Sequence, residues 1–410
     1  MSSSQEATRP RGFWFLTLFA AEEIPAAIVT YVALLMLLQL GLAPAEATLC
    51  SALLFVPWVL KSFMRPWVMR VGYFRHMLHL VEALIFVSLV LLAFSFKRGP
   101  VAVFFALLLV SLLSACHEMV AGIYYERALR PVFQRLFIIP KLVSSQTTVI
   151  ITYGLLIFLV GTLEVYFRQI RYSWAMGCYV AAGIFLLFAF YHLLWLKGGK
   201  VQGITKYKRS TFHFSLFTLH YAFLFLLLLP QAFMFHARVL YLYDTHAHGG
   251  LQCTMQEIGF AQGTVGVIAF SLGIALGRVL INRYSLQRLF WPMAFCLVLS
   301  PFVYLGMTIW PPQSLWHLCC CTMTAQILFG LGIGVSRLPI SAVSGTRYRN
   351  TINMLQIPLV AAAMIVPMAV SGWLVQQLGY NSFFLVNALS APVCLLGIYL
   401  LKRREFPPKL

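Results

Sequence analysis

Long apolar runs alternate with short polar segments along the whole chain. A helix that crosses a bilayer needs about 20 mostly apolar residues, and runs of that length occur twelve times. They lie near residues 12–40, 46–69, 75–96, 100–126, 138–165, 172–196, 213–243, 254–280, 289–310, 314–342, 348–376 and 381–402. The pattern predicts an all-α polytopic membrane protein with 12 transmembrane helices.

The composition agrees with this pattern and excludes a soluble fold. Of the 410 residues, 61% are hydrophobic and 10% are charged, and the mean hydropathy is +0.85. Such a chain cannot enclose its apolar residues in one core with a polar surface. The nine cysteines include the run Cys319–Cys321, but no CxxC pair and no spacing typical of a zinc site or a disulfide framework. We interpret them as small apolar residues of helices.

The basic residues predict how the chain crosses the membrane. The formal net charge is +19, from 30 Lys and Arg against 11 Asp and Glu. If both termini are cytoplasmic, 25 of the 30 basic residues fall inside, among them Lys61 and Lys141, and five fall outside, among them Arg238. Basic cytoplasmic loops fix orientation, so we expect both termini in the cytoplasm and no binding of nucleic acid. Arg9 and Arg11 precede the first run without a small-residue cleavage site, which predicts a retained first span.

The polar segment between the sixth and seventh runs divides the chain in two. It predicts an N-terminal six-helix bundle at 1–196, a cytoplasmic linker at 197–212 and a C-terminal six-helix bundle at 213–410. The basic loop at 70–75 has a counterpart at 282–288, after the second run of each half. Two bundles related by an axis along the membrane normal form the major facilitator fold. We interpret the glycines of the eighth run as positions where helices approach closely. They are Gly259, Gly263, Gly266, Gly273 and Gly277.

Several of the few acidic residues lie inside predicted helices, and the candidates for a functional role are Glu22, Glu23, Glu82 and Glu118. A carboxylate in hydrocarbon costs at least about 2.5 kcal/mol, so a chain this poor in acids keeps such residues for a purpose. In the fourth run, Glu118, Gly122 and Tyr125 share one helical face, and His117 is adjacent in sequence. We expect this face to line a cavity in which Glu118 carries a proton or contacts the substrate. The alternative is that Glu118 only holds the bundle together, through His117 or a neighbouring helix.

The motif Glu22-Glu23-Ile24-Pro25 puts two acids beside a proline in the first run. Proline interrupts the hydrogen bonds of a helix, which inside a membrane is tolerated beside a cavity. Adjacent side chains point about 100° apart, so only one of the two acids can face the pathway directly, and we choose Glu22. The alternative is that both lie near a helix end and meet water.

Other polar positions give weaker indications. Gln231 in the seventh run is a candidate hydrogen-bond donor to a polar ligand. His236, His246 and His248 lie in or near an outside loop with Asp244. An exposed, glycine-rich loop is poorly organised for a metal ion, and we predict none there. The sequence has no P-loop, nucleophile elbow or HExxH motif, so we expect neither an enzyme nor a cofactor.

A set of short motifs resembles those of a known family and keeps their order along the chain. The motifs are Glu22-Glu23-Ile24-Pro25, Val56-Pro57-Trp58-Val59-Leu60-Lys61 with Pro66, Ser114-Ala115-Cys116-His117-Glu118, Gly263–Ala269, Trp291-Pro292-Met293, and Val370-Ser371-Gly372-Trp373 with Leu378-Gly379-Tyr380. Together they resemble the AmpG-like anhydromuropeptide permeases, in particular their Bacteroidetes branch. The family pattern differs by a glycine at the position of Glu23 and by aspartates at the positions of Met69, Glu118 and Gly122.

The resemblance implies a proton-driven importer in a bacterial inner membrane, which brings anhydromuropeptides released from the cell wall into the cytoplasm. We expect a monomer whose partners are protons, a small-molecule substrate and the lipid bilayer. The candidate residues for contact with protons or substrate are Glu118, Glu22, Glu23, His117, Tyr125 and Gln231. Siderophore permeases belong to the same broader family, so a ferric chelate is the alternative cargo. A transport-inactive membrane sensor, or a membrane enzyme that uses His117 and Glu118, are alternatives of other classes.

Overall fold

Twelve long helical segments run through the part of the chain that the structure describes. The structure is a computed structural model, and it describes residues 13–129, 131–196, 214–337 and 349–405. The segments are α1 (Trp14–Gln39), α2 (Pro44–Leu53 and Val56–Val71), α3 (Phe74–Ser95), α4 (Pro100–Ala128), α5 (Ile138–Phe167), α6 (Ile170–Trp195), α7 (Phe214–Tyr243), α8 (Met255–Tyr284), α9 (Leu286–Ile309), α10 (Leu315–Gly332), α11 (349–378) and α12 (380–405). No strand occurs among these residues. The predicted linker at 197–212 lies outside them.

Ten helices within the described residues are long and apolar enough to cross a membrane. One of them, Pro358–Tyr399, comprises two spans, because the backbone turns at Gly379. Its φ of 72° lies in the left-handed region that glycine adopts easily. The two parts of α2 are not among the ten, because the helix is interrupted after Leu53 and its second part, Val56–Val71, carries three basic residues. Each of the twelve predicted runs therefore corresponds to one helical segment.

One face of α3 shows how the helices meet lipid. Large apolar side chains recur every three or four residues along this face and are exposed. They are Leu80, Leu84, Val87, Leu91 and Phe94. The opposite face buries Ile85, Leu89 and Leu92 against the bundle. Because an exposed apolar stripe at helical spacing is stable in lipid and not in water, the chain is a multi-pass membrane protein.

The helices form two bundles of six that meet along two seams. In the first bundle α3 packs on α4 and α6, and α1 packs on α4, α5 and α6; in the second, α8 and α9 pack on α10. The seams lie between α2 and α11 and between α5 and α8. We call the two ends of the protein the Gly41 face, which carries the loop between α1 and α2, and the Gly72 face, which carries the loop between α2 and α3.

Glycines let the backbones of the two bundles touch at both seams. A Cβ atom on Gly263 of α8 would lie 2.5 Å from the Cα atom of Gly154 in α5. At the other seam, a Cβ atom on Gly372 of α11 would collide with the backbone oxygen of Pro44 in α2. The glycines of α8 therefore serve in helix packing, as predicted. The seams are tightest toward the Gly41 face, where the end of α5 packs on the start of α8.

Three π-helical segments occur within the described transmembrane helices. They are Ile28–Val32 in α1, Ile150–Leu155 in α5 and Gly259–Gly266 in α8. The first packs against the second, and the second packs against the third. The three segments therefore form one continuous irregular region where the two bundles meet. π-Helical turns are rare in proteins overall, and those that occur are often found at functional sites.

Candidate functional site

Glu118 of α4 forms an ion pair with a lysine of α2. Its Oε1 atom lies 2.5 Å from Nζ of Lys61, and its Oε2 atom accepts a 2.9 Å hydrogen bond from Nε1 of Trp58. Trp58 and Lys61 are three residues apart and therefore project from one face of α2. The side chains of Lys61 and Glu118 keep 12% and 21% exposure, so the pair borders accessible space and is not sealed in the core.

Two more carboxylates and a second lysine lie close to this pair. Glu23 of α1 accepts a hydrogen bond from the hydroxyl of Ser145 in α5, and Lys141 lies one turn before Ser145. Glu22 and Glu23 are both half-buried, and both lie within electrostatic range of Glu118 and Lys141. The structure thus does not favour Glu22 over Glu23, in contrast to the choice made from sequence. We call the following residues the charged cluster: Glu22, Glu23, Lys61, Glu118 and Lys141.

The charged cluster is unbalanced by one charge. It contains three carboxylates and two ammonium groups, so when all are ionised it carries one net negative charge. An unbalanced charge is costly in surroundings of low dielectric constant. One proton on any of the three carboxylates cancels it. The cluster is therefore suited to taking up and releasing a single proton.

The face of α4 that carries Glu118 borders open space. A Cβ atom on Gly122, one turn after Glu118, would meet no atom within 4 Å. The ring of Tyr125 packs edge-on against the ring of Phe19 at 5.1 Å between ring centres, and Nζ of Lys141 lies 5.8 Å from the centre of the Tyr125 ring. Tyr125 therefore belongs to the surroundings of the charged cluster.

His117 faces away from the charged cluster. It is fully buried, and its Nε2 atom lies 3.5 Å from Oε1 of Glu82 in α3. Nδ1 of His192 in α6 lies 2.5 Å from the same oxygen, and Nδ1 of His79 lies 3.4 Å from the other oxygen. Glu82 is thus the centre of a histidine network that ties α3, α4 and α6 inside one bundle. His117 and Glu118 therefore do not form the pair that the sequence left open as an alternative.

Two polar residues of α7 also lie apart from the charged cluster. Gln231 is buried and donates a 2.8 Å hydrogen bond to the backbone carbonyl of Leu297 in α9. His236 is buried between α2 and α11, where Nε2 lies 3.2 Å from the hydroxyl oxygen of Ser51 and Nδ1 lies 3.3 Å from the carbonyl oxygen of Met368. Both side chains therefore tie helices together in this conformation.

Three basic residues that were counted toward the inside or outside segments lie within helices, as the limits of the predicted runs imply. Lys61 lies ten residues, or about 15 Å, before the end of α2. Lys141 lies within α5, and Arg238 lies within α7 and is 8% exposed. The helices extend through these positions because each charge has a polar or aromatic neighbour inside the protein. For Lys61 the sequence held a signal, since the residue closes one of the family-like motifs.

Comparison with solved structures identifies the fold. The chain is similar to the nucleoside transporter NupG, with a TM-score of 0.71 and 13% identity over 95% of this chain and 98% of that one. It is also similar to a bacterial homologue of the human lysosomal transporter Spinster. In the inward-facing, unoccupied form of that protein the TM-score is 0.73 with 14% identity over 96% of both chains. In the inward-facing, occupied form it is 0.74 with 13% identity over 95% of this chain and 96% of that one. No protein-family model and no curated protein matches the chain.

Likeness at such low identity defines the fold and nothing beyond it. The chain is a multi-pass membrane protein with the major facilitator fold, built from two six-helix bundles. Within that fold, its charged cluster draws on α1, α2, α4 and α5 of one bundle.

Proposed function

We propose that this chain is a secondary active transporter that imports a small polar or anionic solute by proton symport. The observation that carries the proposal is the charged cluster, an ionisable group of side chains within membrane-spanning helices, two of which, α2 and α5, also form the seams between the bundles. Transporters of this fold bind solutes and coupling ions near the midplane between their bundles. Ionisable residues at that depth mark such pathways, because their burial is otherwise costly.

Glu118 is the proposed proton carrier. As a carboxylate it holds both Lys61 and Trp58 of α2. Protonation removes the charge that makes these bonds strong and so releases Lys61. Because α2 also forms a seam with α11, a change at Glu118 acts directly on the contact between the bundles. Proton binding and movement of the bundles are linked in this way.

The orientation of the protein in the membrane follows from the basic residues. They are concentrated at the Gly72 face even when Lys61, Lys141 and Arg238 are left out of the count. By the positive-inside rule the Gly72 face is then cytoplasmic, with both termini, in a bacterial inner membrane. The tight seams at the Gly41 face then close the protein toward the outside. The division into bundles at 1–196 and 213–410, and the monomeric state, are part of this proposal.

For the solute we propose an anhydromuropeptide derived from the cell wall. The support is the ordered set of motifs that resemble the AmpG-like permeases, because Trp58, Lys61 and Glu118 of this site all belong to those motifs. A muropeptide also combines sugar rings with carboxylates, which suits a pathway that contains lysines and aromatic rings.

Uptake into proteoliposomes tests the proposal. A gradient of one pH unit, acidic on the side of entry, supports at most about tenfold accumulation of labelled anhydromuropeptide per proton. Glu118→Gln preserves the shape of the side chain and removes the titratable group. We expect this variant to insert into the membrane normally and to lose gradient-driven accumulation.

Glu126→Gln is the matched control. Glu126 lies two turns further along α4, where its exposed carboxylate is 3.4 Å from Arg65. This variant should accumulate solute like the wild type. Accumulation that persists in Glu118→Gln would contradict the role of Glu118. Wild-type uptake that does not respond to the gradient would contradict symport.

A further inference from the structure

Arg238 of α7 is a buried arginine without an acidic partner. It is 8% exposed, its Nε atom has no hydrogen-bond partner, and no carboxylate of the described residues lies within ion-pair distance of it. Its guanidinium carbon lies 5.1 Å from the centre of the Phe235 ring. An unpaired buried charge is one of the most costly arrangements in a protein. A ligand that brings the missing anion would account for it.

Tyr153 of α5 is a second buried group without a partner, and it comes from the other bundle. It is 2% exposed, and its hydroxyl has no hydrogen-bond partner. Its ring stacks on that of Tyr31 at 5.0 Å, and the ring of Tyr31 lies 5.8 Å from that of Phe235. A continuous set of contacts therefore joins Tyr153 to Arg238 across the boundary between the bundles.

All three π-helical segments contribute to this region. Tyr31 belongs to the first and Tyr153 to the second. Gln262 belongs to the third, and its Oε1 atom is also buried without a partner, while its Nε2 atom donates a 3.1 Å hydrogen bond to the hydroxyl of Tyr304. Tyr153 and Tyr304 both lie within electrostatic range of Arg238. Unpartnered donors and acceptors thus gather where the irregular helices meet, which helix packing alone does not explain.

We propose that Arg238 and the hydroxyl of Tyr153 bind the oxyanion head of the transported solute, a carboxylate or a phosphate, at a site separate from the charged cluster. The inference rests on the proposed function and names the class of its substrate. A guanidinium presents parallel N–H groups that match two oxygens of such a head, and the tyrosine hydroxyl adds one donor. The rings of Tyr31, Phe235 and Phe55, the last 6.0 Å from Phe235, offer apolar faces to a ring-bearing body.

The spacing of the two sites links anion binding to proton binding. Tyr31 follows Glu23 by eight residues on α1, which is about 12 Å along the helix axis. It lies within electrostatic range of both Glu23 and Arg238. Distance weakens the repulsion between an anion at Arg238 and the carboxylates, and the repulsion that remains favours proton uptake by the charged cluster to the same extent. Solute and proton then bind together, as symport requires.

Thermal unfolding of the purified, detergent-solubilised protein tests the site without a transport step. One pair of probes is N-acetylmuramic acid and its methyl ester, which differ by a single charge. The second pair is glucose 6-phosphate and glucose. We expect at least one of the two anions to raise Tm with a saturable concentration dependence, and its neutral partner to leave Tm unchanged. The two pairs distinguish a carboxylate site from a phosphate site.

Substitutions then locate the bound anion. Arg238→Gln should weaken the apparent affinity about 30-fold or more, because one partner of a desolvated charge pair is lost. Tyr153→Phe should weaken it about tenfold, because one hydrogen bond to a charged group is lost. Arg171→Gln, which removes an exposed arginine at the Gly41 face, should leave the affinity unchanged. Without ligand, Arg238→Gln should be at least as stable as the wild type, because an unpaired buried charge has been removed.

Several outcomes would overturn the site. The site is refuted if neither anion raises the Tm of the wild type, or if an anion and its neutral partner stabilise the protein equally. It is also refuted if Arg238→Gln binds the anion with unchanged affinity. A lower Tm of ligand-free Arg238→Gln would assign the residue to the structure of the bundle. The proposed function fails in a different way, since binding in detergent needs no proton gradient. Intact anion binding with gradient-independent uptake would refute symport and leave the anion site standing.

Discussion

Two adjacent residues of α4 belong to different parts of the molecule. Glu118 pairs with Lys61 of α2, a helix that also packs on α11, whereas His117 contacts Glu82 inside its own bundle. Adjacent helical residues point about 100° apart, so this separation is a direct result of helix geometry. Glu118 remains partly exposed and Glu82 is sealed among histidines, so of these two carboxylates Glu118 is the one suited to the proposed proton transfer.

Substitution of Glu82 is therefore expected to affect stability first. Glu82→Ala removes the carboxylate to which His79 and His192 are hydrogen-bonded and beside which His117 lies, and should lower the free energy of unfolding by about 3 kcal/mol. Thermal unfolding in detergent measures the change, with the exposed Glu126→Ala as the reference. A Glu82→Ala protein with wild-type Tm but no proton-driven uptake would instead make the histidine network part of the proton path.

At the level of helices, the sequence predicted most of the fold and only part of the site. The apolar runs have the length that the bilayer requires, so the approximate limits of most of the helices follow from hydropathy. The shared face of Glu118 and Gly122 follows from helical periodicity. The π-helical segments and the partners of Lys61 and Arg238 do not, because they depend on which helices pack together. Charge in an apolar run indicates a site, but tertiary contacts decide its partner.

The seam between α5 and α8 must open if the bundles alternate between two arrangements. A side chain at Gly263 has no room, because a Cβ atom would lie 2.5 Å from backbone atoms of Gly154. Gly263→Leu should therefore exclude the described conformation and shift the population toward one that is open at the Gly41 face. Spin labels on Ala43 and Gln313, which are exposed on that face and belong to different bundles, should report a longer mean distance, and solute uptake should fall.

Gly183→Leu is the matched control, because a Cβ atom at Gly183 meets nothing within 4 Å on an exposed face of α6. It should leave both the label distance and the uptake unchanged. If Gly263→Leu gave a wild-type distance distribution and normal uptake, close approach of the backbones at this seam would not matter for function.

For the whole molecule, the bias of basic residues predicts orientation. Reporter tags at the N-terminus, at Gly199 and at the C-terminus should all be cytoplasmic, because most of the 30 Lys and Arg gather on that side. A tag at Gln313, in the loop between α9 and α10, should report the opposite side. Protease protection or tag fluorescence in intact cells measures each position. A periplasmic signal from Gly199 would contradict the division into two sets of six helices.

The turn at Gly379 gives α11 and α12 an unusual mechanical relationship. A single residue joins them, so no loop separates the two helices. Of these, α11 packs against α2, and α12 presents apolar side chains to lipid, namely Val386, Leu389, Val393 and Leu396. We therefore expect a displacement of α11 to tilt α12 against the surrounding acyl chains. Because tilt is the ordinary response of a helix to bilayer thickness, the rate of the proposed transport should vary with lipid chain length. Bilayer thickness thereby becomes one of the factors that set the rate of the proposed transport.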